Sequence, residues 1–404
     1  MNRKLIKGYK FSSFFTKTKN NKKFKIGLIS IEPYGECVAA FTKNLLKSNS
    51  IIVSQKHLKK TDKVRYILIN SGCANTACGK EGLKITEEIC SYLAKQLGIK
   101  KEEVLIASTG VIGEPLPKEV FINSIPKLIS SLSDNKSSVV KFAKSILTTD
   151  TKPKVVYKHF KNNNVLCIAK GAGMIAPQLE LYKPHATMLV FLLTDLWIEK
   201  KLMEKLMKET VVPLFNSFSI DGDTSPNDTI FFVSLRDRNN YKLSNNYKLS
   251  NTELKKFSEV LKLVCEETIK QLLFDGEGVT KVVKIIIENC SKEKSEVLAR
   301  TISNSLLVKT AINGADPNWG RILAAIGRSG VELDINKVDI YIGKHCVVKN
   351  GTSNFVDDET VRKVMLNKFF EIRIDVKSRK KENFVFYTTD LSKKYVDINS
   401  KYKT

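Results

Sequence analysis

Histidine is scarce, with four in 404 residues, and none of the eight cysteines stands in a Cys-x-x-Cys pair. No metal site with recognisable ligand spacing is expected, and no cofactor. No apolar run approaches the roughly 20 residues of a membrane-spanning helix. The longest, Met188–Leu193, meets Asp195 almost at once. An apolar signal-peptide core is also missing near the start. Without a secretion signal the cysteines are expected to be reduced and the protein cytoplasmic. Acidic residues are few, 42 against 67 basic, for a net charge of +25. The first is Glu32, which raises a basic transit peptide. The segment is rich in Lys rather than Arg, however, and runs into an expected strand, Lys25–Ile31, so no presequence is expected. The same charge raises nucleic acid as a partner. The lysines are dispersed among Asn and Ile with no aromatic-basic motif, so they read as solvated faces. Neither nucleic acid nor membrane is an expected partner.

What is present is an ordinary globular balance, 42% hydrophobic and 27% charged, in a chain long enough for two or three domains. Strands are expected at Ile26–Ile31, Val38–Phe41, Ile51–Val53, Tyr66–Ile69 and Val104–Ala107. Ile85, Ile89, Tyr92, Leu93 and Leu97 mark one helix face. Lys152–Ala169 reads as a hairpin turning at Asn162-Asn163-Asn164. Asp228–Leu235 reads as a strand after a turn-rich loop, in which Asp223, Asn227 and Asp228 are expected to make Asx turns. Asn239–Ser250 repeats Asn-Asn-Tyr-Lys-Leu-Ser, a duplicated surface loop by this reading. Ser250 and Glu253 form a capping box for a helix carrying Phe257, Val260, Leu261, Val264 and Thr268. A strand at Lys281–Glu288 and a helix at Ser295–Val308 follow, then a smaller C-terminal α+β region. Strands succeed one another without alternating helices, which speaks against a doubly wound parallel sheet.

The chemistry centres on Lys170-Gly-Ala-Gly-Met-Ile-Ala-Pro177 and His185-Ala-Thr-Met-Leu189. A glycine-rich turn leads to a threonine preceded by a small residue and followed by an apolar run. Cleavage at Ala186–Thr187 would give Thr187 a free α-amine beside its hydroxyl. Such an amine titrates near neutrality and can act as the base for a weak nucleophile. Taken alone, Thr187 could as well begin a buried strand.

Further motifs stand in order: Asn70-Ser-Gly-Cys-Ala-Asn75, Ser108-Thr-Gly110, Thr148-Thr-Asp-Thr151, Asp221-Gly-Asp-Thr-Ser-Pro-Asn227, Asp275-Gly-Glu-Gly278, Lys309–Arg321 and Asn399–Thr404. Together they resemble the ornithine acetyltransferase/glutamate N-acetyltransferase family of arginine biosynthesis, from Gly8 to Thr404. The resemblance implies an α+β fold, a layered α-β-β-α sandwich of the N-terminal-nucleophile-like type with a smaller C-terminal α+β domain. It implies self-cleavage before Thr187 into chains 1–186 and 187–404, residues 281–404 forming the smaller domain, and a heterotetramer of two of each chain. By the same resemblance Thr187 is the nucleophile, and Thr109 and Gly110 form the oxyanion hole. Thr148, Lys170, Thr187, Glu277, Asn399 and Thr404 bind substrate. Acetyl passes from N-acetylornithine to the threonine and on to glutamate in a ping-pong reaction; some members also accept acetyl-CoA. Lys170 suits a carboxylate and Glu277 an ammonium. Singly, Ser108-Thr-Gly110 could be a plain turn, Thr148 a helix terminus, Glu277 a solvated residue and Thr404 a frayed end. Trp319 and Arg321 read as packing and helix-start residues.

This chain departs from the family in three places. About six extra residues stand between Pro177 and Ala186 by motif spacing. Cys73 replaces a usual Asn, and Gly8-Tyr-Lys-Phe-Ser-Ser13 replaces a usual Gly-Phe-x-Ala-Ala-Gly. Two rival readings remain at this point: a hydrolase with an N-terminal nucleophile, and a basic nucleic-acid-binding protein on an inactive scaffold.

Overall fold

The computed structural model describes residues 5–18, 21, 23–181, 188–236 and 249–401. Ala186, Thr187, Thr404 and the tandem hexamer up to residue 248 lie outside the described residues. Nine strands share one mixed sheet: β1 Tyr9–Lys17, β2 Lys23–Thr42, β3 Val64–Cys73, β4 Val104–Val111, β5 Lys154–Phe160, β6 Asn163–Lys170, β7 Leu179–Leu181, β8 Leu189–Thr194 and β9 Thr229–Arg236. Their order is β4-β3-β2-β9-β8-β6-β5, with β1 and β7 also on β2. Strand β2 joins two leaves. Its residues 25–30 pair with β3, and after a register shift its residues 34–41 pair with β9.

Side-chain alternation along each strand decides the layers. Ile67, Ile69, Leu105 and Ala107 of one leaf meet Leu166, Ile168, Phe191 and Phe231 of the other in a shared core. Their outward neighbours Tyr66, Leu68, Val104 and Ile106 pack under α2 (Gly79–Leu97) and α3 (Lys118–Ser130). On the far side Cys167, Val190, Leu192, Ile230 and Phe232 pack under a long helix, Asn251–Phe274. The result is the expected α-β-β-α order. Helix α4 (Lys136–Ser145) inserts Val139 and Phe142 between the leaves.

Two short helices, α5 (Lys200–Leu206) and α6 (Val212–Phe215), precede the long helix, which is α7. The expected capping box at Ser250 and Glu253 opens it. The C-terminal portion has its own core and a six-stranded sheet. Its strands are β10 Val282–Glu288, β11 Asp339–Ile342, β12 His345–Lys349, β13 Thr352–Ser353, β14 Phe369–Asp375 and β15 Phe384–Thr389. Helices α8 (Lys292–Ser303), α9 (Leu306–Gly314), α10 (Trp319–Gly327) and α11 (Asp358–Met365) pack on it, and α12 (Lys393–Asn399) follows. Trp319 starts α10 and Arg321 holds the Leu307 carbonyl at 2.9 Å. No helix among the described residues is long and apolar enough to cross a membrane.

Three local expectations are corrected. Ile51–Val53 lies not on a strand but in a helix, α1 (Asn49–Leu58), capped by Ser48. Tertiary contacts override the β-branched run, since Ser54 and His57 hydrogen-bond to the Ile106 and Val104 carbonyls of β4 at 2.7 Å. The two strands Ile26–Ile31 and Val38–Phe41 are one, β2. The helix expected at Ser295–Val308 is two: the first ends at Ser303, and Ser305 caps the second, α9.

Candidate active site

Strands β3 and β4 run parallel, with Ser71 beside Thr109 and Gly72 beside Gly110. At Gly110 φ is +133°, and a Cβ would stand 2.4 Å from Gly72 C and 2.5 Å from Cys73 N. Only glycine fits there, and that lets the two backbones touch. A buried polar lattice braces this end. Asn70 Nδ2 donates to the Cys73 carbonyl at 2.8 Å, and Ser108 Oγ donates to Asn70 Oδ1 at 2.6 Å. Asn75 Nδ2 donates to Ser50 and Thr86 at 3.0 and 2.8 Å. Asn227 does not make the expected Asx turn. Its Nδ2 holds the carbonyls of Ala74 and Ser108 at 2.6 and 2.8 Å, and its Oδ1 accepts from Thr76 at 3.0 Å. The motif residues around Thr109 therefore pair with one another, as buried polar groups must.

Lys170 ends β6 and is 2% exposed. Its Nζ donates to Thr148 Oγ1 at 2.8 Å and to Thr109 Oγ1 at 3.3 Å. The Thr109 hydroxyl accepts from an ammonium, which leaves its own proton to donate elsewhere. Burial lowers the Lys170 ammonium from its usual range, with Lys154 adding to this and Asp150, Asp228 and Glu277 opposing it. Asp150, which the site reading missed, lies 3.7 Å from Lys170. Burial works against its charge, but Lys170, Lys154 and the Gly171 N–H outweigh that and hold it well below the carboxylate range.

The glycine turn after Lys170 is pinned by Asp221, which accepts from Met174 N and Ile175 N at 2.6 and 2.9 Å. Asp221, rather than Asp223, makes the Asx turn, through Asp223 N at 3.3 Å. Gly173 faces Glu277, and a Cβ there would meet its carboxylate oxygen at 2.3 Å. Glu277 N donates to the Ala172 carbonyl at 2.9 Å. Asn399, at the end of α12, donates to Glu277 Oε2 at 2.8 Å. Thr109, Gly110, Thr148, Lys170, Glu277 and Asn399 thus border one cavity of about 300 Å³. The sequence reading proposed all six.

Thr187, Ala186 and Thr404 are outside the described residues. The chain is described again from Met188, fully buried, whose carbonyl accepts from Thr229 N at 2.6 Å. Leu189 pairs with Lys170 on one side and Thr229 on the other. Asp228, expected in an Asx turn, makes no such bond. It is fully buried, and neither carboxylate oxygen has a hydrogen-bond partner among the described residues. Burial pushes its carboxyl well above the usual range; Lys170 opposes this and Asp221 adds to it.

Comparison with known proteins adds to this geometry. The chain matches the ArgJ family over residues 10–404. It is 37% identical to "Glutamate N-acetyltransferase" of Methanocaldococcus jannaschii over 98% of this chain and 97% of that one. It is 37% identical to "Arginine biosynthesis bifunctional protein ArgJ" of Caldanaerobacter subterraneus over 99% and 98%. A crystal structure of Arginine biosynthesis bifunctional protein argJ from Bacillus halodurans is 32% identical over 54% of this chain and 100% of that one, with a TM-score of 0.46. The chain belongs to the ArgJ family and is an acyltransferase of arginine biosynthesis.

Proposed function

We propose that this enzyme cuts itself before Thr187 and then carries acetyl from N-acetylornithine to glutamate on the Thr187 hydroxyl. The observation that supports the reading most is convergence. Six residues from five separate segments border one cavity, beside the point where β8 begins. The freed Thr187 amine takes the hydroxyl proton as the oxygen attacks the acetyl carbon. The oxyanion is met by the Gly110 N–H and by Thr109, whose hydroxyl is polarised by Lys170. Collapse breaks the amide, and ornithine leaves with the proton. Glutamate then attacks the ester with its neutral α-amine, and Thr187 recovers its proton. Lys170 takes the α-carboxylate of either amino acid. Glu277, oriented by Asn399, takes the ammonium: the side-chain one of N-acetylornithine, or the α-ammonium of glutamate before it loses its proton. Thr148 and Thr404 complete the binding set. Acetyl-CoA is a second donor in this reading. The processed chains 1–186 and 187–404 assemble as a heterotetramer in the cytoplasm, with 281–404 as the smaller domain.

Intact mass spectrometry tests the proposal. The purified protein should resolve into 1–186 and 187–404, and Thr187→Ala should stay whole. N-acetylornithine alone should add one acetyl to 187–404, and glutamate should remove it. Cleavage persisting in Thr187→Ala, or acetyl on 1–186, refutes the threonine route. Loss of the label to water as fast as to glutamate would favour a hydrolase.

A further inference from the structure

The two charges that would face an amino-acid substrate come from different elements, Lys170 at the end of β6 and Glu277 in the turn after α7. Behind them runs a chain of buried charges that the reaction does not use. Asp150 Oδ1 accepts from Lys154 Nζ at 2.5 Å and from Gly171 N at 2.6 Å, while its Oδ2 faces Lys170. Lys154 Nζ also reaches Asp275 Oδ2 at 2.5 Å. Asp275 closes α7 two residues before Glu277. It accepts as well from Thr151 N and Lys152 N at 3.1 and 3.2 Å, and from the Thr151 hydroxyl. Lys154 itself sits on β5 opposite Ala169, the residue before Lys170. Its side chain is 1% exposed.

A buried ionic row of this kind is a poor source of stability, because desolvation offsets most of the attraction. What it does supply is geometry. Each charge is shared between partners on different segments, so the network ties those segments together. Here the segments are the Thr148–Lys154 loop, the glycine turn and the Glu277 turn.

We infer that Lys154 is a positioning residue for the acetyl-transfer cavity: its one ammonium ties Lys170, through Asp150, to the Glu277 turn, through Asp275. The inference rests on the reading that Lys170 meets the substrate carboxylate and Glu277 an ammonium. Lys154 has a second, electrical effect. The titratable groups around Lys170 are Asp150, Lys154, Asp228, Glu277 and Lys25. Lys154 disfavours the Lys170 charge. Its removal should therefore move the alkaline rise in KM to higher pH, a change that a purely structural brace would not cause.

The test compares processed Lys154→Met, Lys154→Arg and Asp275→Asn with the parent. KM and kcat for N-acetylornithine and glutamate are measured from neutral to alkaline pH, beside thermal melts. Lys154→Met should raise both KM values roughly 10- to 100-fold, as displaced binding groups do, with a smaller change in kcat. Its alkaline limb should shift upward, and Lys154→Arg should restore most of the affinity and the parental profile. Parental KM values and pH profile with only a lowered melting temperature would overturn the inference. If Lys154→Met does not fold, Asp275→Asn decides: a raised KM for N-acetylornithine supports the inference and a parental one overturns it. Lys170→Met separates the two levels. A parental KM there removes the substrate reading itself, whereas a raised KM there with parental Lys154→Met removes the positioning role alone.

Discussion

Gly110→Ala is the sharpest probe of the oxyanion assignment, because the structure leaves the new methyl nowhere to go. The added carbon would lie 2.4 Å from Gly72 C and 2.5 Å from Cys73 N. Carbon contacts normally settle near about 3.5 Å. Both neighbours are backbone, so no side chain can turn away, and β3 and β4 must part by roughly 1 Å at their ends. Overpacking of this kind costs about 1–3 kcal/mol. A non-glycine residue held at φ +133° adds about 1–3 kcal/mol. The catalytic effect should be larger in proportion. A donor displaced by about 1 Å loses roughly 100-fold in rate, and one lost outright about 10²–10³. The expected outcome is kcat lowered about 100- to 1000-fold in the folded, cleaved fraction, with KM altered only a few-fold, since the contact strengthens in the transition state. Steady-state assays with both substrates, normalised to cleaved protein, measure it. A variant whose melting temperature falls while kcat stays parental would refute the oxyanion role and leave Gly110 a packing residue.

Gly173→Ala places a carbon 2.3 Å from a Glu277 oxygen, which is the movable end of a side chain; KM for N-acetylornithine should rise about tenfold with kcat nearly kept, and a parental KM would count against Glu277 as a binding group. Asp150→Asn removes the carboxylate nearest Lys170, so the alkaline rise in KM should move to lower pH; an unmoved limb would refute the pairing. The same change should cost about 3–5 kcal/mol near neutrality. That difference should shrink in acid, because a carboxylate held below its usual range contributes above about pH 4 and loses the contribution as pH falls through its folded value. Binding to DNA should be weak and vanish near physiological salt, and sub-micromolar sequence-specific binding there would overturn the reading of the dispersed lysines.

Much of the fold could be read ahead because its signals are local. The hairpin β5–β6 (its turn at Lys161-Asn162 rather than Asn162-Asn163-Asn164), the capping box at Ser250 and the apolar runs of β3, β4 and β9 each depend on residues close in sequence. The misreadings have a common physical origin. Helix α1 carries Ile51, Ile52 and Val53, a strand-like run, yet its fate is set by bonds from Ser54 and His57 to a strand that comes later in the chain. Glu32-Pro33-Tyr-Gly35 looks like a turn, but it only marks where β2 passes from one leaf to the other. Six cavity residues were legible through their motifs. Asp150 stood inside one of these motifs, Thr148-Thr-Asp-Thr151, and was still passed over, because its role lies in contacts to Lys154 and Lys170 rather than in its spacing.

The burial of charge explains why the remaining polar residues escaped a reading by motif. Asp228 and Asp150 are both acidic, fully or nearly fully buried, and close enough to Lys170 to act on its charge. Nothing in their sequence neighbourhoods separates them. Asp150 collects two ammonium groups and two backbone N–H donors, so it keeps its charge. Asp228 collects no hydrogen bond among the described residues, so burial favours its neutral form. Asp150 thus faces Lys170 as a carboxylate whose charged form its donors favour, while burial disfavours charge on Asp228. The division of labour depends on which donors converge on each acid in space, and that convergence is assembled only by the fold.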